Sequence, residues 1–195
     1  MTRVALVLLA AGQSRRFGSD KLRLLWDGEP MLSRTLRRYC EEPLMNAFVS
    51  RTVVLSDARA DFAAEAERLG WRVVFNPHPE DGQSQSVRLG VRDAMRFSPD
   101  GVLCSVADQP NLGAKTVLRI LNAFEENRTR IVRPAANGRM GNPVLFPNDL
   151  FEPLCALTGD VGGSAVIRQH SERVLTVETT EEELKDVDRE TEAQP

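Results

Sequence analysis

Short apolar runs alternate along the chain with longer stretches whose apolar residues recur every three or four positions. Val4–Leu9 is a continuous apolar run, the pattern of a strand covered on both faces. Asp27-Gly28 marks a turn, and Pro30 then opens a helix with Met31, Leu32, Leu36 and Tyr39 on one face. Val53–Leu55 is a second strand, Asp61–Leu69 a helix ended by Gly70, and Trp71–Phe75 a third strand. A helix over Gln85–Phe97 leads to a fourth strand, Gly101–Ala107, and Ala114–Glu126 is again helical. Ile131–Arg133 and Pro143–Phe146 read as two later strands that frame a pocket. Asp149–Leu157 and Gly163–His170 read as helices, and Val174–Val177 as a last strand. This order predicts an α/β fold, a doubly wound and mostly parallel sheet flanked by helices, as a single domain over residues 1–195. The charged stretch 180–195 reads as a frayed tail. Sites in such sheets gather at the carboxyl ends of the strands.

Composition narrows the possibilities. The chain has 195 residues, 42% hydrophobic and 27% charged, enough to bury one sizeable core. A net charge of −3 gives no electrostatic case for nucleic acid or an anionic membrane as partner. No apolar run is long enough to span a bilayer, and no signal peptide is evident, so the expected location is cytoplasmic. The three cysteines, Cys40, Cys104 and Cys155, are widely spaced among apolar neighbours, which predicts reduced thiols rather than disulfides or a zinc site. His78 and His170, the two histidines, lack ligand or triad partners at recognisable spacing.

The chemistry concentrates in two places. Leu9–Leu22, "LAAGQSRRFGSDKL", directly follows the first strand. Gly12 permits close backbone approach and φ > 0, successive N–H groups of such a loop form an anion nest, and Arg15, Arg16 and Lys21 add positive charge. The same stretch could be a plain strand-to-helix connection with solvated arginines. "VLCSVADQP", Val102 to Pro110, is a buried strand that ends on a carboxylate, Asp108. A hard oxygen ligand facing phosphates suits Mg²⁺, which binds through one or two carboxylates plus phosphate oxygens. An aspartate there also serves as a turn residue.

Leu9-Ala10-Ala11-Gly12-x-Ser14-x-Arg16-Phe17-Gly18-x-x-Lys21-Leu22 resembles the signature loop of nucleotidyltransferases with a molybdopterin-guanylyltransferase-like fold. Gly82-Gln83-Ser84-Gln85-Ser86-Val87-Arg88-Leu89-Gly90 and Asp108-Gln109-Pro110 resemble blocks of the molybdenum cofactor cytidylyltransferase branch. The resemblance implies a Mg²⁺-dependent enzyme that transfers CMP from CTP to the terminal phosphate of molybdopterin and releases pyrophosphate, with a molybdenum hydroxylase as client. It places Leu9, Ala10, Ala11 and Gly12 against the nucleotide, Arg16 and Lys21 on the triphosphate, and Mg²⁺ on Asp108. Ser84 and Ser86 would touch the nucleotide or only cap their helix. Asp186-Val187-Asp188 resembles the family's acidic end, so Asp188 or Asp186 would be the second metal ligand, with a solvated tail as the other reading. Gly138–Val166 resembles the acceptor side and points to Asn142, Asp160 and Gly162, although Gly163-Ser164 stands where the branch has Ala-Arg. The guanylyl branch has Leu-Ala-Gly-Gly where this chain has Leu9–Gly12, so the Ala11 side chain favours the smaller base. Alternatives are GTP as donor, another phosphorylated acceptor, or a nucleotide-binding module without catalysis.

Overall fold

A computed structural model describes residues 2–12 and 20–187. The first strand, β1 (Val4–Ala10), is the hub. Its side chains alternate between the two faces of the sheet. Val4, Leu6, Leu8 and Ala10 enter one core cluster, and Ala5 and Val7 enter a second one. Each face is covered by helices, so the uninterrupted apolar run is a consequence of burial on both sides.

After β1 come a short hairpin, β2 (Leu25–Trp26) and β3 (Glu29–Pro30), and helix α1 (Met31–Arg38). Asp27 and Gly28 both adopt positive φ, 52° and 83°, as a two-residue primed turn requires. The four apolar residues expected on the α1 face, Met31, Leu32, Leu36 and Tyr39, are fully buried. Strand β4 (Ser50–Ser56), a 3-10 turn at Asp57–Phe62, helix α2 (Ala63–Arg68) and strand β5 (Arg72–Asn76) follow. Gly70 takes φ +79° and ends α2, as its position suggested. Helix α3 (Gln83–Met95), strand β6 (Gly101–Val106) and helix α4 (Ala114–Glu126) continue the alternation. The last part carries β7 (Ile131–Ala136), β8 (Arg139–Met140), β9 (Val144–Pro147), α5 (Phe151–Cys155), α6 (Ser164–Gln169) and β10 (Val174–Glu178).

The eight-stranded sheet runs β10-β7-β9-β6-β1-β4-β5, with β8 beside β7. Pairs β1–β4, β4–β5, β1–β6 and β7–β10 are parallel. Helices α1, α2 and α4 pack on one face, and α3, α5 and α6 on the other. The doubly wound, mostly parallel sheet read from the sequence is therefore present. One detail differs: the pair of strands expected to frame a pocket lies inside the sheet, with β9 antiparallel to both β6 and β7. The reversal is made by the turn Asn137-Gly138, at φ 48° and 81°, and by β8.

The expectation of a frayed tail from residue 180 is corrected for residues 180–187. Leu184 and Val187 are 1% and 2% exposed, and Val187 packs with Trp26 and Met31. Apolar side chains at these two positions anchor an otherwise acidic segment. Residues 188–195 lie outside the described residues.

Candidate active site

The chain leaves β1 toward β4 on one side and later returns to β6 on the other, so β1 and β6 flank the point where strand order reverses. Loops leaving the carboxyl ends of such a pair diverge and open a crevice. A cleft of about 580 Å³ lies there. One wall is the exit of β1, Leu9 to Gly12, together with Lys21 and Leu22. The floor is Val106, Ala107 and Asp108 at the exit of β6. The opposite wall is Pro79, Glu80, Gly82, Gln83 and Ser86 around the start of α3, with Asp160.

At Gly12 the backbone is outside the left-handed region, contrary to the conformational reason first considered for a glycine there. A Cβ at that position would meet nothing within 4 Å, so it would project into open space beside the cleft. Glycine therefore keeps the backbone accessible to a ligand. Lys21 sits on a 3-10 turn, Lys21–Arg23, whose start is capped by Asp20 Oδ1 accepting from the Leu22 N–H at 3.2 Å. From this turn Lys21 Nζ meets Asp108 Oδ2 at 2.5 Å, each side chain 20% exposed. Lys21 and the carboxylate at the exit of β6, separate in sequence, thus form one charged pair at the cleft floor.

The Asp108–Pro110 turn is held from behind. Arg38 donates to the carbonyls of Gln109 (3.2 Å) and Pro110, and its burial pushes its pKa below the usual arginine value. Gln109 is buried and its Nε2 donates to Asp186 Oδ1 at 2.8 Å and to the Leu184 carbonyl at 3.3 Å. The Val187 N–H donates to the Asp108 carbonyl at 3.0 Å. The acidic segment is thereby brought beside Asp108, with Asp186 one residue from that bond. Asp186 is not part of the cleft lining. Of the other expected residues on this side, Arg16 and Asp188 lie outside the described residues.

On the opposite wall Asp160 Oδ1 accepts from the Gln83 N–H at 3.2 Å, so a carboxylate already occupies the start of α3. Gly82, at φ +95°, is packed so tightly that a Cβ would lie 2.5 Å from the Asp160 Cα. Gly162 is packed against the Gln83 side chain. Ser86 lines the cleft, and its Oγ accepts from Asn76 Nδ2 at 3.0 Å. Ser84 is 2% exposed and Asn142 precedes a cis proline; neither lines the cleft.

The chemistry of the donor set fits a hard divalent cation held jointly with phosphates: carboxylate oxygens at Asp108 and Asp186 and no soft ligand. Among the described residues no group of three or more His, Cys, Asp or Glu side chains could hold a metal by itself.

One residue escaped the sequence reading. Arg59, 3% exposed, donates to Ala10 O (2.7 Å), Gly12 O (2.8 Å) and the Asp20 carboxylate (2.5–3.0 Å). Its partners are 39 to 49 residues away in sequence, and no local pattern announces them.

The MobA-like NTP transferase domain matches residues 6–174, a span that holds every residue lining this cleft. The chain belongs to that family. It is a nucleotidyltransferase. It is 30% identical over 165 residues to the purine catabolism protein PucB of Bacillus subtilis, covering 83% of this chain and 79% of that one. The structure is similar to a mycobacterial protein from strain JC1, a homologue of Rv0371c of Mycobacterium tuberculosis. The two share 24% identity with a TM-score of 0.80, covering 96% and 91% of the two chains. It is also similar to a nucleotidyl transferase from Methanothermobacter, at 24% identity and TM-score 0.77 over 97% and 93%. Among the described residues, no helix of the transferase is long and apolar enough to cross a membrane.

Proposed function

We propose that this nucleotidyltransferase moves CMP from CTP to the terminal phosphate of a molybdopterin-type acceptor. The observation that carries the reading is the cleft at the β1–β6 reversal, where the Lys21–Asp108 pair and the Leu9–Gly12 stretch line one crevice. An oxygen of the acceptor phosphate attacks the α-phosphorus of CTP. The new P–O bond forms as the bond to the bridging α–β oxygen breaks, and that oxygen leaves with pyrophosphate. Little covalent work falls to the protein. Its task is to place the two phosphates in line and balance their charge.

In this reading the backbone of Leu9, Ala10, Ala11 and Gly12 receives the nucleotide, and Lys21 with Arg16 neutralises the triphosphate. Asp108, with Asp186 or Asp188 as second carboxylate, would hold Mg²⁺, which when bound supplies positive charge to the phosphate oxygens. Ser86 is available to the nucleotide from the α3 wall, whereas Ser84 is better explained as a buried residue of the helix start. Asp160, which lines the cleft, and Gly162 and Asn142, which do not, are assigned to the acceptor side. The Ala11 methyl group supports the smaller pyrimidine, a discrimination worth roughly 1–3 kcal/mol.

Calorimetric titration of CTP and GTP in the presence of Mg²⁺ tests the donor. Tighter binding of CTP supports the reading, followed by pyrophosphate release when molybdopterin is added. Preference for GTP moves the chain to guanylyl transfer. Binding of CTP with no pyrophosphate release from molybdopterin, but release with another phosphorylated metabolite, overturns the acceptor. That second reading is favoured by one observation: Asn142 does not line the cleft.

A further inference from the structure

The end of β1 and the Lys21 turn are tied together by a single side chain. Arg59 uses one edge of its guanidinium for the Ala10 and Gly12 carbonyls, which end the strand side, and the other edge for the Asp20 carboxylate, which begins the turn. Asp20 in turn caps the turn that carries Lys21. Arg59 therefore acts on Lys21 through one intermediary and on the Leu9–Gly12 backbone directly. It does not line the cleft, and its charge is balanced by Asp20, so it is not placed to receive a phosphate itself.

We infer that Arg59 is a positioning residue that ties the end of β1 to the Lys21 turn and thereby sets the distance between Gly12 and Lys21. The ligand half of this inference rests on the nucleotide reading of the cleft; the loop half rests on geometry alone. The task requires arginine. Two carbonyls on one side and a carboxylate on the other need several N–H groups in a rigid plane, whereas a lysine offers one nitrogen. Arg59 itself sits at φ −120° and ψ 21°, off the helical values of its turn. A neighbouring arginine, Arg23, ties the Lys21 turn to the segment that carries Arg59 by donating to the Ala58 carbonyl at 2.7 Å and pairing with Asp61 at 2.7 Å.

The test compares wild type with Arg59→Lys, which keeps the charge and loses the fork, and Asp20→Asn, which keeps Arg59 and its carbonyl bonds. Thermal melting checks folding. Brief trypsin treatment with mass mapping reads cleavage after Arg15 and Arg16. Calorimetry reads the affinity for CTP and for CMP with Mg²⁺. The expected result is a retained cooperative melt, cleavage at Arg15 or Arg16 faster by about tenfold, and CTP affinity lowered by about tenfold to a hundredfold, with a smaller loss for CMP. Unchanged cleavage and CTP affinity in both variants overturn the inference. So does an equal loss for CTP and CMP, or a lost thermal transition in both variants, because each marks a general structural role. Wild-type protein that binds no triphosphate refutes the nucleotide reading instead; the trypsin comparison then still decides the loop half, faster cleavage supporting it and unchanged cleavage overturning it.

Discussion

Asp108→Asn separates catalysis from architecture, because it removes one negative charge and preserves shape. Its stability cost follows from the surroundings. The Lys21–Asp108 pair is part-exposed, with both side chains at 20%, and pairs in such settings contribute roughly 1 kcal/mol or less. In a chain of this length each kcal/mol shifts the melting temperature by about 2–4 °C. The backbone bond from Val187 to the Asp108 carbonyl survives the change, so the acidic segment keeps its anchor. The catalytic cost is larger. Losing one preorganised electrostatic group that faces a reacting centre lowers turnover by about a hundredfold to a thousandfold, roughly 3–4 kcal/mol. The assay is pyrophosphate release at saturating CTP, acceptor and Mg²⁺, alongside thermal melting of the same preparation. The expected variant melts within about 4 °C of wild type and turns over at least about a hundredfold more slowly. Turnover within about threefold of wild type would refute the metal role. A melting temperature lowered by more than about 10 °C would refute the claim that Asp108 is dispensable to the fold.

Other consequences are as direct. The Arg72 guanidinium beside Asp93, with the Thr52 hydroxyl, holds that carboxyl below the usual aspartate range against the opposing effect of burial. A depressed folded-state pKa contributes stability above the unfolded value, about 3.9, and loses it as pH falls through the folded value. Asp93→Asn should therefore cost about 1–3 kcal/mol at pH 7 in urea unfolding, and its gap from wild type should close below about pH 4; a gap that does not change with pH contradicts the assignment. Gly90 lets α3 touch the sheet: a Cβ there would overlap Val7 Cγ1 and lie 3.1 Å from Val54 Cγ2. Gly90→Ala should lower stability by about 1–3 kcal/mol despite alanine's better helix propensity, and a variant that melts at or above wild type would show that the packing yields. Burial pushes the Cys104 thiol up to about 12, while Cys40 and Cys155 are part-exposed. An alkylating reagent at pH 8 should label Cys104 only after unfolding, as peptide mapping would show.

Most of the fold was legible because it follows from periodicity. The run Val4–Leu9 could be nothing but a strand sandwiched between layers, and the α1 face was readable from Met31, Leu32, Leu36 and Tyr39. The antiparallel β9 does not follow from β-α alternation; its local signal is Asn137-Gly138, a strong hairpin dipeptide. The tail was misread because charge dominates its composition, and two apolar residues, Leu184 and Val187, decide where it goes. Of the site, Lys21 and Asp108 were legible from their place after strands. Arg59 was not, since a buried arginine looks like a solvated one until its partners are known. The link from Gln109 to Asp186 likewise spans 77 positions and has no local trace.

The strand made first occupies the middle of the sheet. β1 pairs with β4, whose first partner residue is Ser50, and with β6, beginning at Gly101. It cannot bury both edges until roughly the first half of the chain has been synthesised. Until then an almost wholly apolar segment with two open edges has to be kept from other chains. Such non-local parallel pairing makes folding slow and exposes the nascent chain to aggregation. For the transferase, the strand that leads into the cleft is also the one whose edges stay open longest during synthesis.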